Sequence, residues 1–157
     1  MILHNILLPE FIKVDMEAED KDEAFEEMVD YYCQADNANV RDEVLEAIQV
    51  REAKMSTGIQ KGIAVPHGKT AAVKGLRGVL GISRKGIQYD SLDGEPVYLL
   101  FMIISPMEDS ETHLKLLKHL AELMENPQFK VELQAQKDSQ SAFRTICKYE
   151  KILSEQI

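Results

Sequence analysis

The residues best suited to chemistry in this chain are two histidines, each set among groups that attract an anion. His67 follows Val65-Pro66 and precedes Gly68, so its imidazole is presented at a tight turn after an expected strand, with one side open. Loops at strand ends are where a rigid scaffold most often holds reactive side chains. The run Ser56-Thr57-Gly58-Ile59-Gln60-Lys61-Gly62 and its continuation through Pro66-His67-Gly68-Lys69 surround that turn with hydroxyls, glycines and lysines. Such groups are natural donors to phosphate oxygens. His113 stands beside Thr112 in the first turn of an expected helix, at the positive pole, where unpaired N–H groups favour an anion. Taken singly, each histidine is more often structural than functional. His4 lies near a terminus, and His119, between Lys118 and Leu120, falls off the expected inner stripe and reads as a surface residue.

Other chemistries leave no trace. There is no Gly-rich loop ending in Lys-Ser or Lys-Thr, no GxGxxG, no HExxH and no CxxC, so neither a cofactor nor a metal is expected. Cys33 and Cys147 are isolated and read as buried, reduced thiols of a cytoplasmic protein. The net charge of −9 is uneven. Residues 15–30 hold nine acids against Lys21, whereas residues 51–90 hold eight cations against Glu52 and Asp90, a local balance of +6. An acidic surface repels a nucleic-acid backbone, so no nucleic-acid partner is expected, while a basic segment within it suits a small anion or one charged group. The longest apolar run, Val97–Ile104, falls well short of the ~18 residues of a membrane span, and Met1–Asn5 lacks the order of a signal peptide. No membrane insertion is expected.

The elements that must position these histidines alternate in type. Phe11–Met16 reads as a short strand. Phe25, Met28, Val29 and Tyr32 form the stripe of one helix, and Val40, Val44, Ala47 and Ile48 that of a second, running to about Arg51. Ser56-Thr57-Gly58 reads as a loop, and Gly62–Val65 as an extended segment reinforced by Pro66. Leu76–Ser83 and Val97–Ile104 read as strands, the second buried on both faces. Ser110 is the expected N-cap of a long helix with Leu114, Leu117, Leu120, Ala121 and Met124 inward. A short helix to about Ala135 and a last one over Ser139–Leu153 follow. The fold class is α/β, a mixed sheet flanked by helices in a sandwich, with residues 1–157 as a single domain.

Three separated motifs carry a family resemblance. Arg51-Glu52 with Ser56-Thr57-Gly58-Ile59 and Gly62-Ile63-Ala64-Val65-Pro66-His67-Gly68-Lys69 is the first. Tyr89-Asp90, Asp93-Gly94 and Pro96-Val97 ahead of the apolar strand are the second, and Thr112-His113-Leu114 the third. Together they resemble the type-2 EIIA domains of the bacterial phosphoenolpyruvate:sugar phosphotransferase system (the fructose/mannitol class), most of all the nitrogen-regulatory EIIA branch. The resemblance implies that His67 accepts a phosphoryl group through Nε2 from the phosphohistidine of the carrier HPr. It implies that His113 lies beside His67 and that Arg51 completes the pocket.

The chemistry suits those roles. Phosphoryl transfer is mostly positioning and electrostatics. A cation such as Arg51 and a helix N-terminus keep His67 neutral and nucleophilic near pH 7, and Arg51 offers a planar fork to two oxygens. His113, neutral, is expected to donate to a third oxygen, and Ser56 or Thr57 to do likewise. Gln60 departs from the family, which often has glycine there; a positive φ at residue 60 would strain it by roughly 1 kcal/mol. Three functions follow from the resemblance: a regulatory EIIA whose phosphorylation controls partner binding, a sugar-specific EIIA passing phosphate to an EIIB, and a binding scaffold with dead chemistry. Retention of Arg51, His67 and His113 opposes the third.

Overall fold

The computed structural model describes residues 3–156, apart from the side chains of Ile59 and Gln60. Met1, Ile2 and Ile157 lie outside the described residues, and the signal-peptide reading of Met1–Asn5 falls partly on them. In chain order the elements are β1 (Ile12–Lys13), α1 (Lys21–Ala35), α2 (Arg41–Lys54), β2 (Gly58–Gln60), β3 (Ile63–Ala64), β4 (His67–Lys69), β5 (Arg77–Ile87), β6 (Val97–Ser105), α3 (Ser110–Met124), α4 (Pro127–Gln134) and α5 (Ser139–Ser154). Short 3-10 turns at Leu3–Asn5 and Pro9–Phe11 precede them.

The sheet is mixed, in the order β1-β5-β6-β3-β2, with β4 also on the β3 side of β6. Strand β6 is its axis. It pairs antiparallel with β5 and parallel with β3 and then β4, in the register Ile63 opposite Leu99 and His67 opposite Ile103. Side chains alternate across a strand. Leu99, Phe101 and Ile103 therefore enter a core closed by α3, α4 and α5, while Leu100, Met102 and Ile104 enter one closed by α1 and α2. Helices on both faces explain why β6 is an unbroken apolar run rather than an alternating one.

Several boundaries move. The strand expected over Phe11–Met16 shrinks to Ile12–Lys13, because Pro9–Phe11 is taken up by a 3-10 turn. Gly58 is not loop but the first residue of β2, and α2 continues past Arg51 to Lys54. Strand β5 runs beyond Ser83 to Ile87. Asp109, not Ser110, caps α3, its carboxylate accepting from Thr112 N–H at 3.4 Å. The inward stripe of α3 is His113, Leu116, Leu120 and Leu123, a phase different from the expected one, and it leaves Leu114 in solvent. Leucines on two neighbouring faces permit either phase, and packing on β6 selects one. Cys33 and Cys147 are free, as expected, but half-buried rather than buried.

Candidate functional site

The break between β3 and β4 makes the site. Proline has no N–H to give the ladder, so the chain leaves β3 after Ala64 and rejoins β6 at His67. Around the break, Val65 N–H donates to Thr57 O at 3.1 Å, and Pro66 O accepts from Ile103 N–H at 2.9 Å. The freed Val65 carbonyl accepts from His67 Nδ1 at 2.8 Å. A carbonyl only accepts, so Nδ1 carries the imidazole proton and Nε2 keeps its lone pair.

Helix α2 lies close on β4. A Cβ added to Gly68 would sit 2.8 Å from the backbone carbon and oxygen of Ala47, so only glycine allows this approach. One helical turn beyond Ala47, Arg51 reaches the same groove as His67, with Nη1 donating to Met55 O at 2.8 Å. From the other side α3 brings in His113, whose ring centroid is 5.2 Å from that of His67 at an interplanar angle of 54°. His113 is 4% exposed, and its Nδ1 is hydrogen-bonded to Ser105 Oγ at the end of β6. Lys69 Nζ donates to Ser110 Oγ at 2.6 Å, joining β4 to the start of α3.

Arg51, His67, Gly68, Lys69 and His113 line an open groove of about 820 Å³. Exposed apolar side chains stand on its rim, Val50 at 55%, Met107 at 56% and Leu114 at 65% with Leu117 beside them, alongside the charged Glu43, Glu46 and Lys54. Both imidazoles are held neutral. Burial is the main cause of the lowered His67 pKa, Arg51 and Lys69 add to it, and the Val65 bond and Glu52 oppose it. Burial also takes His113 down to about 4, helped by His67 and Lys69 and opposed by Asp109. A pair of neutral rings, one with an exposed lone pair, beside a guanidinium can receive an electrophile and steady its anionic oxygens.

The expected hydroxyl donors are not in the groove. Thr57 is buried, and its Oγ1 donates inward to Glu52 Oε1 at 2.6 Å and lies 2.8 Å from Tyr89 Oη. Ser56 Oγ accepts from Gly58 N–H at 3.2 Å, closing a local turn. Neither lines the groove that holds His67: the Thr57 hydroxyl is committed to Glu52, while Ser56 Oγ accepts within its turn and keeps its own O–H to give. Gln60 belongs to β2, and the left-handed backbone falls on Lys61 (φ 55°) and Gly62 (φ 79°). Lys61 N–H is fixed there by Asp93 Oδ2 at 2.9 Å. Among the described residues no His, Cys, Asp and Glu cluster could hold a metal, and no helix is long and apolar enough to cross a membrane.

Residues 5–149 match the family model of the phosphoenolpyruvate-dependent sugar phosphotransferase system, EIIA 2. The chain belongs to that family. This EIIA domain is 38% identical over 133 residues to the fructose-specific EIIABC component of Bacillus subtilis, covering 85% of the chain but only 21% of that relative. It is 27% identical over 146 residues to the nitrogen regulatory protein of Bradyrhizobium diazoefficiens, covering 93% of the chain and 95% of that protein. The crystal structure of nitrogen regulatory protein IIA-Ntr from Neisseria meningitidis superposes with a TM-score of 0.84 at 28% identity, over 92% of the chain and 98% of that structure.

Three features of the EIIA site escape sequence reasoning. The Val65 carbonyl carries no side-chain signal. Ser105 carries a faint one, a hydroxyl ending a fully apolar strand before Pro106. Glu52 stands next to Arg51, but its burial on Thr57 and Tyr89 depends on long-range packing.

Proposed function

We propose that this EIIA domain is a phosphoryl carrier, with His67 Nε2 taking a phosphoryl group from the phosphohistidine of an HPr-type protein. The Nε2 lone pair forms the new N–P bond as the donor's P–N bond breaks, and the donor imidazole leaves with that electron pair. The proton stays on Nδ1, donated to Val65 O, throughout, so His67 needs no proton transfer to react. This single hydrogen bond carries the reading, because it fixes which nitrogen attacks. Arg51 supplies charge to the transferring oxygens, and the phosphoryl group travels between two carriers without bulk water. Ser105 can donate to His113 Nδ1, which leaves His113 Nε2–H free to donate to the phosphoryl group.

The apolar rim of Val50, Met107 and Leu114 is the docking face for successive partners. Phosphorylation adds nearly two negative charges at its centre. On the regulatory reading, that charge decides which target protein binds, as the notable likeness to IIA-Ntr favours. On the second reading, His67 passes its phosphoryl group to an EIIB for fructose- or mannitol-type uptake. The 38% identity to a fructose-specific component favours it.

Intact-mass spectrometry after incubation with phosphoenolpyruvate, enzyme I and HPr tests the carrier chemistry. The expected result is an acid-labile gain of one phosphoryl group that disappears in His67→Ala. Wild type that gains nothing, while a control EIIA is labelled, removes the reading. Adding candidate EIIB proteins then separates the two destinations.

A further inference from the structure

We propose that Glu52, working through Thr57, is a positioning residue that holds His67 in its Nε2-nucleophilic tautomer. This rests on the reading of His67 as the phosphoryl acceptor. Glu52 is buried, and both its oxygens are occupied. Oε2 accepts from Thr57 N–H at 2.9 Å and faces Lys21 Nζ at 3.0 Å. Oε1 accepts from Thr57 Oγ1 at 2.6 Å and from Tyr89 Oη at 3.2 Å. Lys21 also lies 4.8 Å from the Tyr89 ring centre, which packs the cation, the phenol and the carboxylate into one cluster.

That cluster is continuous with the imidazole. Thr57 is gripped by both its N–H and its hydroxyl, and its own carbonyl accepts from Val65 N–H at 3.1 Å. The Val65 carbonyl then accepts from His67 Nδ1 at 2.8 Å. Two residues, Thr57 and Val65, therefore lie in series between a buried carboxylate and the nucleophilic ring, each donating through its N–H and accepting at its carbonyl. The N–H and carbonyl of one residue are joined through Cα, so the relay is one of position: it holds the backbone that aims the Val65 carbonyl. Pro66 keeps Val65 out of the regular ladder, and Thr57 O anchors the Val65 N–H beside that break.

Electrostatics give Glu52 a second handle on His67. Arg51 and Glu52 from α2, Lys69 from β4 and His113 from α3 are the charged and titratable groups nearest in effect to the ring, with Glu43, Glu46 and Lys54 of α2 lining the same groove and Asp109 acting on His113. The Glu52 charge and the Val65 bond both act to raise the His67 pKa, against the larger lowering by burial. Loss of the carboxylate and slackening of the carbonyl therefore push the ring in one direction.

The test uses the full chain, unphosphorylated, with ¹⁵N-labelled imidazoles. In wild type the His67 ¹⁵N shifts should show a protonated Nδ1 and a bare Nε2. In Glu52→Gln a mixed tautomer, a lowered His67 titration midpoint and phosphoryl uptake about tenfold slower are expected. Thr57→Val should move all three readouts in the same direction, and Thr57→Ser should restore them. This pair carries the test alone if Glu52→Gln does not fold. An unchanged tautomer and titration midpoint in Thr57→Val overturns the proposal, even if its thermal midpoint falls, because a merely structural tie would move stability only. The NMR readouts need no phosphoryl donor, so failure of wild type to be phosphorylated would strike the carrier reading and leave the tautomer result standing.

Discussion

The four histidines divide into two pairs with opposite surroundings. His67 and His113 face each other, and their Nδ1 atoms rest on a carbonyl and a hydroxyl; neither is hydrogen-bonded to a carboxylate among the described residues. His4 and His119 instead converge on one buried carboxylate. His4 Nδ1 meets Glu150 Oε1 and His119 Nε2 meets Glu150 Oε2, each at 2.6 Å. Leu3 and His4 donate their backbone N–H groups to the same carboxylate at 2.6 and 2.9 Å. A neutral acceptor fixes a tautomer and leaves the far nitrogen reactive. An anion shared by two rings makes a tether, here binding the first turn of the chain to α3 and α5. Reactivity belongs to the partner of the ring as much as to the ring.

Glu150→Ala gives the largest expected effect on that contrast. It strands two buried N–H groups and two imidazoles, so a loss of about 3 kcal/mol or more is expected in denaturant unfolding. Phosphoryl uptake per folded molecule should not change. The groove pair, His67 and His113, gives a pH signature of similar size. Between the ordinary His value and the His113 value of about 4, the unfolded chain binds a proton at this position that the folded chain refuses. Wild-type stability should therefore fall as pH drops from about 6.5 to about 4, by roughly 3 kcal/mol from this residue, and His113→Gln should lack that component across an unfolding series.

Gly68→Ala attacks the approach of α2 instead. The new methyl meets Ala47 backbone, so a cost of about 2 kcal/mol is expected in thermal unfolding, with slower phosphoryl uptake because Arg51 is carried away from His67. The smallest stability effect belongs to Leu114→Ser, within about 0.5 kcal/mol. Its expected signature is a KM for the phosphorylated carrier raised several-fold with kcat held, read from initial rates.

Legibility followed the range of the interactions. Strand β6 and the stripes of α1 and α2 were readable because burial on a sheet imposes its period directly on the residues. His67, His113 and Arg51 were readable as a set through motifs in fixed order, and they do share one groove. The phase of α3 was not, because Leu114 and Leu117 mimic a core face while serving the rim of that groove. The inward turn of the Thr57 hydroxyl was hidden for a different reason. A hydroxyl in a glycine-rich run signals donation, but the direction of donation was decided by Glu52 and Tyr89, 5 and 32 residues away in sequence.

Strand β6 has a consequence in time. It is paired with β5 along one edge and with β3 and β4 along the other, interrupted there only opposite Phe101 and Met102, and it is covered by helices on both faces, so deuterium should enter its paired amides only when the whole molecule opens. His67 and Lys69 are in register with Ile103 and Ser105 on that strand, which ties the His67 turn and the hydroxyl beneath His113 to the slowest-exchanging part of the chain. On that clock the groove lasts as long as the fold does.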